Sequence, residues 1–163
     1  MAWVAQDRCP RCGSRLESHT DSTRRCTVCV RFDALSSNSR RTRRDGQAPG
    51  LDITLEEFAA WFASQQRVCA YCSIPEHLVT FLGLRTQVGL PLARLGVDRP
   101  DTDRPYATDN IVLCCFACNK AKSNTFDSAE MTVVGRAVAR VWQKRLGEAG
   151  LMWRFGEPDA APL

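Results

Sequence analysis

Apolar positions along the chain fall into short runs separated by polar or glycine-containing stretches. Leu95-Gly96-Val97 is a strand-type run that stops at Asp98, and Ile111-Val112-Leu113 is a second that leads into Cys114 and Cys115. Between them, Arg99 to Asp109 is rich in Pro, Asp, Thr and Arg, which is the composition of a loop. From Asn119 the chain turns polar and can continue as helix. Strand, loop, strand and helix in this order bring Asp98 and Asn119 near one another, each carrying an oxygen suited to a hard cation.

Helical spacing marks two further segments. Thr54 opens a helix, with Glu57 placed to close a capping box, and Phe58, Trp61 and Phe62 form its inward face as far as about Gln66. After Asn124 to Asp127 ends one helical run, Asp127 or Ser128 caps another. Met131, Val134, Val138, Val141, Trp142 and Leu146 make its apolar stripe, while Arg136, Arg140, Lys144 and Arg145 lie largely elsewhere. That stripe predicts a core-packing helix, with a shared dimer face as the rival. Ser73 to Leu92 is interrupted by Gly83, Gly89 and Pro91, so no long element is expected there. The tail from Gly147 is expected to fray beyond Trp153.

Cysteine spacing changes the picture most. Of nine cysteines, eight fall into four Cys-x-x-Cys pairs: Cys9/Cys12, Cys26/Cys29, Cys69/Cys72 and Cys115/Cys118. Gly13 to Arg25 separates the first two pairs, a zinc-ribbon distance, and each pair can turn its backbone amides onto thiolate sulfur. Residues 73–114 separate the last two, so a second zinc there would join distant parts of the chain around the strand-loop-strand segment. Cys114 falls outside the spacing and reads as a small buried apolar residue. Four thiolates leave no open position for water, so both zincs are expected to be structural. Paired thiols of this kind favour a reducing compartment.

At 163 residues, with 8% aromatics, the chain predicts one small domain with a modest core that metal staples would help. No run approaches the roughly 18 apolar residues needed to span a membrane, and Met1 to Arg8 lacks the apolar core of a secretory signal. A cytoplasmic protein is expected. The domain boundaries read from the sequence are 1–50 for a zinc unit with a basic arm, 51–150 for the domain holding the second zinc, and 151–163 for the tail.

The formal charge of +4 is modest, but its placement is informative. Lysine occurs only at 120, 122 and 144, whereas Arg24-Arg25 and the cluster Arg40, Arg41, Arg43, Arg44 concentrate arginine before residue 50. Phe32 to Leu35 can pack on the first zinc knuckle, after which Ser36 to Gly50 is polar and basic. Arginine suits bidentate contacts to phosphate and to guanine edges, so this arm, with Lys120 and Lys122, is the candidate DNA-binding surface. A plain linker is the rival reading.

The acidic residue at the end of Leu95-Gly96-Val97-Asp98-Arg99, Asn110 and the string Cys115-Phe116-Ala117-Cys118-Asn119 together resemble the signature of the HNH, or ββα-metal, nucleases. The resemblance implies a small zinc-stabilised α+β protein: a ββα-metal (HNH) nuclease core with an N-terminal four-cysteine zinc unit and flanking helices. Within the family the chain looks like a type II restriction endonuclease. That likeness implies a homodimer that cuts both strands of a palindromic double-stranded DNA site, with a companion DNA methyltransferase encoded elsewhere. Asp98 and Asn119 would bind one Mg²⁺ or Mn²⁺ per chain, beside two structural Zn²⁺, and Asn110 would tie the loop back to the hairpin.

One position departs from the family pattern. Most members carry histidine directly after the acidic residue, as the base that activates water, and here that place is Arg99. A guanidinium with a pKa above about 12 cannot accept a proton at neutral pH, so Arg99 is expected to hold the scissile phosphate instead. Three routes remain for the proton: Tyr71, inside the third cysteine pair; His77, of the residue type that titrates near neutrality; or a metal-ionised water assisted by a phosphate oxygen. A homing or junction-resolving nuclease of the same fold, or a non-catalytic zinc protein that binds DNA, are the alternative functions.

Overall fold

The computed structural model describes residues 8–14, 16, 25–42, 46–86 and 88–156. Arg24, Arg43, Arg44, the leading residues 1–7 and the tail from 157 lie outside the described residues. The chain forms two compact units, one of Met1–Ser64 with Arg104–Thr108, the other of Gln65–Asp103 with Asp109–Leu163.

In the first unit, Cys9 and Cys12 lie on a tight turn. Gly13 N donates to Cys9 O and Cys9 N to Ser14 O, each at 2.8 Å. Gly13 adopts φ +71°, which a side chain would resist. Helix α1, Thr27–Ser39, begins directly at the second cysteine pair, with the Cys26 sulfur capping it through the Cys29 amide. The sequence pattern predicted only packing over Phe32 to Leu35 followed by a polar arm. The helix runs on to Ser39 because the knuckle supplies its cap, and Ser36 to Ser39, loop-like in composition, are carried along by the buried face of Arg31, Phe32 and Leu35.

Helix α2, Leu55–Ser64, starts at the expected capping box. Glu57 Oε2 accepts from the Thr54 amide at 2.8 Å, and the Glu57 amide donates to Thr54 Oγ1 at 3.2 Å. Its Phe58 ring meets Phe32 of α1 at 5.6 Å and Phe62 at 5.9 Å, while Trp61 stays half-buried. Leu51 bridges to Tyr106, with the Asp52 amide donating to Tyr106 O at 2.8 Å, which brings part of the 99–109 loop into this unit.

The second unit contains a two-stranded antiparallel sheet, β1 (Gly96–Asp98) against β2 (Val112–Cys114), with Asp98 opposite Val112. Helix α3, Phe116–Lys122, follows at once, its N-cap supplied by the Cys115 sulfur, which accepts from the Cys118 amide. The helix therefore starts three residues before Asn119, with the cysteine pair forming its first turn. A 3-10 segment, Glu76–Leu82, occupies part of the stretch in which no long element was expected. It ends at Gly83 in the left-handed region and buries Leu78, Val79 and Leu82.

Helix α4, Ser128–Glu148, is capped by Asp127 in a reciprocal capping box with Glu130. Met131, Trp142 and Leu146 of the expected stripe are buried, Val134 and Val138 half-buried, and Val141 exposed. The buried face also includes Gly135 and Ala139, small residues that let the helix approach its neighbour. A Cβ on Gly135 would lie 2.1 Å from the Tyr71 carbonyl oxygen, so only glycine permits this approach. Among the described residues, no helix is long and apolar enough to cross a membrane.

Candidate active site

Each of the two four-cysteine groups brings its sulfurs within 4.8 Å of one another, a donor set that could hold zinc. In the first, Cys12 is exposed and Cys9, Cys26 and Cys29 are buried; in the second, Cys69, Cys72, Cys115 and Cys118 are all buried. The Cys115 amide donates to Cys69 Sγ at 3.3 Å, and the Ala70 amide to Leu113 O at 2.8 Å. These contacts fasten the Cys69–Cys72 turn to β2 and fix Tyr71, which lies within that turn. Cys114 belongs to neither group. It is fully buried, and burial, reinforced by the Asp98 charge, pushes its thiol well above the usual range.

Tyr71 and Asp98 meet directly. The Tyr71 hydroxyl donates to Asp98 Oδ2 at 2.6 Å, a short bond of the kind made to a carboxylate. Burial first, and then the Asp98 hydrogen bond and charge, raise the Tyr71 pKa far above its ordinary value. At neutral pH the residue is therefore a neutral hydroxyl that donates to Asp98.

The same carboxylate oxygen faces Lys122, whose Nζ stands 3.6 Å from Asp98 Oδ2 and donates to the Arg99 carbonyl oxygen at 2.9 Å. Lys122 was expected on the DNA-binding surface with Lys120, but its side chain is completely buried. Its place on α3 explains this: one turn past the buried Cys118, it points the same way as the cysteine that holds the helix to the hairpin. Lys120 is exposed, with its ammonium 5.7 Å from the Phe116 ring centre.

Asn110 is buried and makes two hydrogen bonds to Asp101, accepting from its amide and donating to its carbonyl, both at 3.0 Å. This pair closes the loop just after Arg99, which is itself buried. Asn119 is half-buried on α3. Neither Asp98 Oδ1 nor the Asn119 side-chain oxygen receives a hydrogen bond from any described residue. Each is a hard oxygen with open lone pairs, one of them on a buried carboxylate, the donor type that a small divalent cation takes. His77 lies exposed on the 3-10 segment and makes no hydrogen bond or ion pair with Asp98. Arg40 and Arg41 are exposed just beyond α1, with Arg40 Nη1 donating to Ser36 Oγ at 2.7 Å.

Two residues that shape the site carried no separate signal in the sequence. Gly135 has no marker of its own in the sequence, and the burial of Lys122 is foreshadowed only by its one-turn spacing from Cys118.

No protein-family model matches the chain, nor does any curated protein. Among solved structures it is similar to the rare-cutting HNH restriction endonuclease PacI, for which an extraordinary mechanism of DNA perturbation is described. The two are 37% identical in an alignment that covers 85% of this chain and 96% of that one, with a TM-score of 0.72. With identity and coverage of that order, on a β1–β2–α3 hairpin and helix bordered by four cysteines, the chain belongs to the HNH family of endonucleases.

Proposed function

We propose that the protein is a type II restriction endonuclease that hydrolyses both strands of a short palindromic DNA site, acting as a homodimer in which each subunit cuts one strand. The observation that carries this reading is the state of Asp98. Oδ2 is engaged by Tyr71 and Lys122, and Oδ1 has no donor among the described residues. The similarity to PacI supports DNA as the substrate.

Asp98 and the Asn119 side chain would hold one Mg²⁺ or Mn²⁺. Such an ion supplies positive charge where negative charge accumulates on the scissile phosphate and the leaving 3′ oxygen. Arg99 follows Asp98 in the chain and contributes a guanidinium that neutralises the phosphate. Asn110 keeps the start of the loop folded onto Asp101 so that Arg99 leaves β1 in a fixed direction. Each four-cysteine group holds a structural zinc. Arg40, Arg41, Arg43, Arg44 and Lys120 serve the DNA backbone, and a companion methyltransferase encoded elsewhere protects the host's own sites.

Tyr71 serves as a positioning group rather than as the base. Its hydroxyl donates along the 2.6 Å hydrogen bond to Asp98 Oδ2 and keeps that carboxylate aimed, while the attacking water gives its proton to a nonbridging phosphate oxygen. A tyrosine whose own pKa is raised suits donation to the carboxylate, not proton acceptance. His77, exposed and without contact to Asp98, is the weaker candidate for the proton.

Replacing Asp98 with Ala tests the reading. Magnesium-dependent cleavage of duplex DNA is expected to disappear, while zinc content and DNA binding in a gel-shift assay persist. Undiminished cutting by Asp98→Ala contradicts it.

A further inference from the structure

A lysine with no exposed surface is rare, because an ammonium stripped of water must be compensated by its neighbours. Lys122 is completely buried, and its partners are Asp98 Oδ2 at 3.6 Å and the Arg99 carbonyl at 2.9 Å. The first is the carboxylate of the proposed cation site and the second is the backbone of the residue assigned to the phosphate. α3 thus sends one cation back to the end of β1, where it grips two consecutive residues.

We propose that Lys122 is a positioning residue for the reaction: it fixes the β1 end at Asp98 and Arg99, and it shares the Asp98 carboxylate with the divalent cation and so weakens cation binding. The inference rests on the assignment of Asp98 to the cation under Proposed function. A packing residue needs no charge at this place. An ammonium beside the ligand oxygen opposes any second cation drawn to the same carboxylate, because like charges repel more strongly where water is excluded. The hydrogen bond to the Arg99 carbonyl is a separate contribution, since it locks the backbone from which the Arg99 side chain departs.

Two substitutions separate these contributions. Lys122→Met keeps most of the buried volume but removes the charge and the donor. Lys122→Gln removes the charge and keeps an N–H for the Arg99 carbonyl, and it provides the readout should the Met variant fail to fold. Binding of Mn²⁺ to the zinc-loaded protein, without DNA, is followed by loss of the free Mn²⁺ signal in electron paramagnetic resonance. Both variants are expected to bind Mn²⁺ at least about threefold more tightly than the parent. In cleavage assays at saturating metal, Lys122→Met is expected to lose kcat by about tenfold or more, with Lys122→Gln recovering part of that loss.

Unchanged or weaker Mn²⁺ binding in a folded variant overturns the proposal, as does full kcat in Lys122→Met. Asp98→Asn is the control for the underlying reading. If it leaves Mn²⁺ binding intact, the assignment of Asp98 to the cation is wrong. If it abolishes binding while the Lys122 variants match the parent, only the role given to Lys122 fails.

Discussion

The Tyr71 hydroxyl reaches Asp98 Oδ2 at 2.6 Å, joining a cysteine turn to the end of a strand that lies 27 residues further along the chain. The turn is held by Cys69 and Cys72 and the strand is paired with the run into Cys115, so the second four-cysteine group fixes both ends of this bond.

Tyr71→Phe removes the hydroxyl and leaves the ring's packing in place. Loss of a buried hydrogen bond to a carboxylate is expected to lower unfolding free energy by about 1–3 kcal/mol in denaturant titrations. With Asp98 no longer held by this hydroxyl, kcat is expected to fall by about tenfold or more. A folded Tyr71→Phe enzyme with parental kcat would contradict a role for this hydroxyl in positioning Asp98.

The raised Tyr71 pKa has its own signature in the zinc-loaded, magnesium-free protein. Folding favours the neutral phenol, so its contribution to stability is complete below about pH 10, the ordinary tyrosine value, and is lost as pH rises above it. Tyrosinate absorbance contributed by Tyr71, taken as parent minus Tyr71→Phe, is expected only when the protein unfolds in alkali. A titration of that difference centred near pH 10 in the folded protein would contradict the buried donor geometry.

Gly135 is the point where α4 touches the Tyr71 backbone. Gly135→Ala would place a methyl carbon 2.1 Å from the Tyr71 carbonyl oxygen, and backbone on both sides must shift to relieve it. The expected cost is about 1–3 kcal/mol or more in stability. Activity should fall further than thermal melting alone explains, because the displaced segment carries Tyr71. Unaltered stability and cleavage would show that α4 does not constrain the site.

Zinc content divides by unit. Cys118→Ser is expected to retain the first zinc and lose the second, reading about one equivalent by atomic absorption against about two in the parent. Cleavage should be abolished, since the turn holding Tyr71 loses its tether. Two retained equivalents would argue against the second site.

The sequence revealed most where chemistry requires fixed spacing. Both cysteine groups, the capping boxes at Thr54 and Asp127, and the strand-loop-strand run to Asp98 were readable because their patterns are local or repeated. The length of α1 was not, since Ser36 to Ser39 are helical through a sulfur cap and a buried face rather than through propensity. The inward turn of Lys122 was equally hidden: a lysine's composition signals solvent, and only the tertiary position of Asp98 and the Arg99 carbonyl reverses it. Gly135 illustrates the same limit, because a close backbone approach leaves no periodicity to detect.

Under the proposed function, the protein cuts DNA at one specific site with Asp98 at its metal centre. Incubating the zinc-loaded protein with a large linear DNA and Mg²⁺, then sequencing the ends, tests it most directly. The expected result is a set of ends that share one short palindrome, cut identically on both strands, absent without Mg²⁺ and absent with Asp98→Ala. Ends scattered without a common sequence, or an intact substrate across DNA of varied sequence, would contradict it.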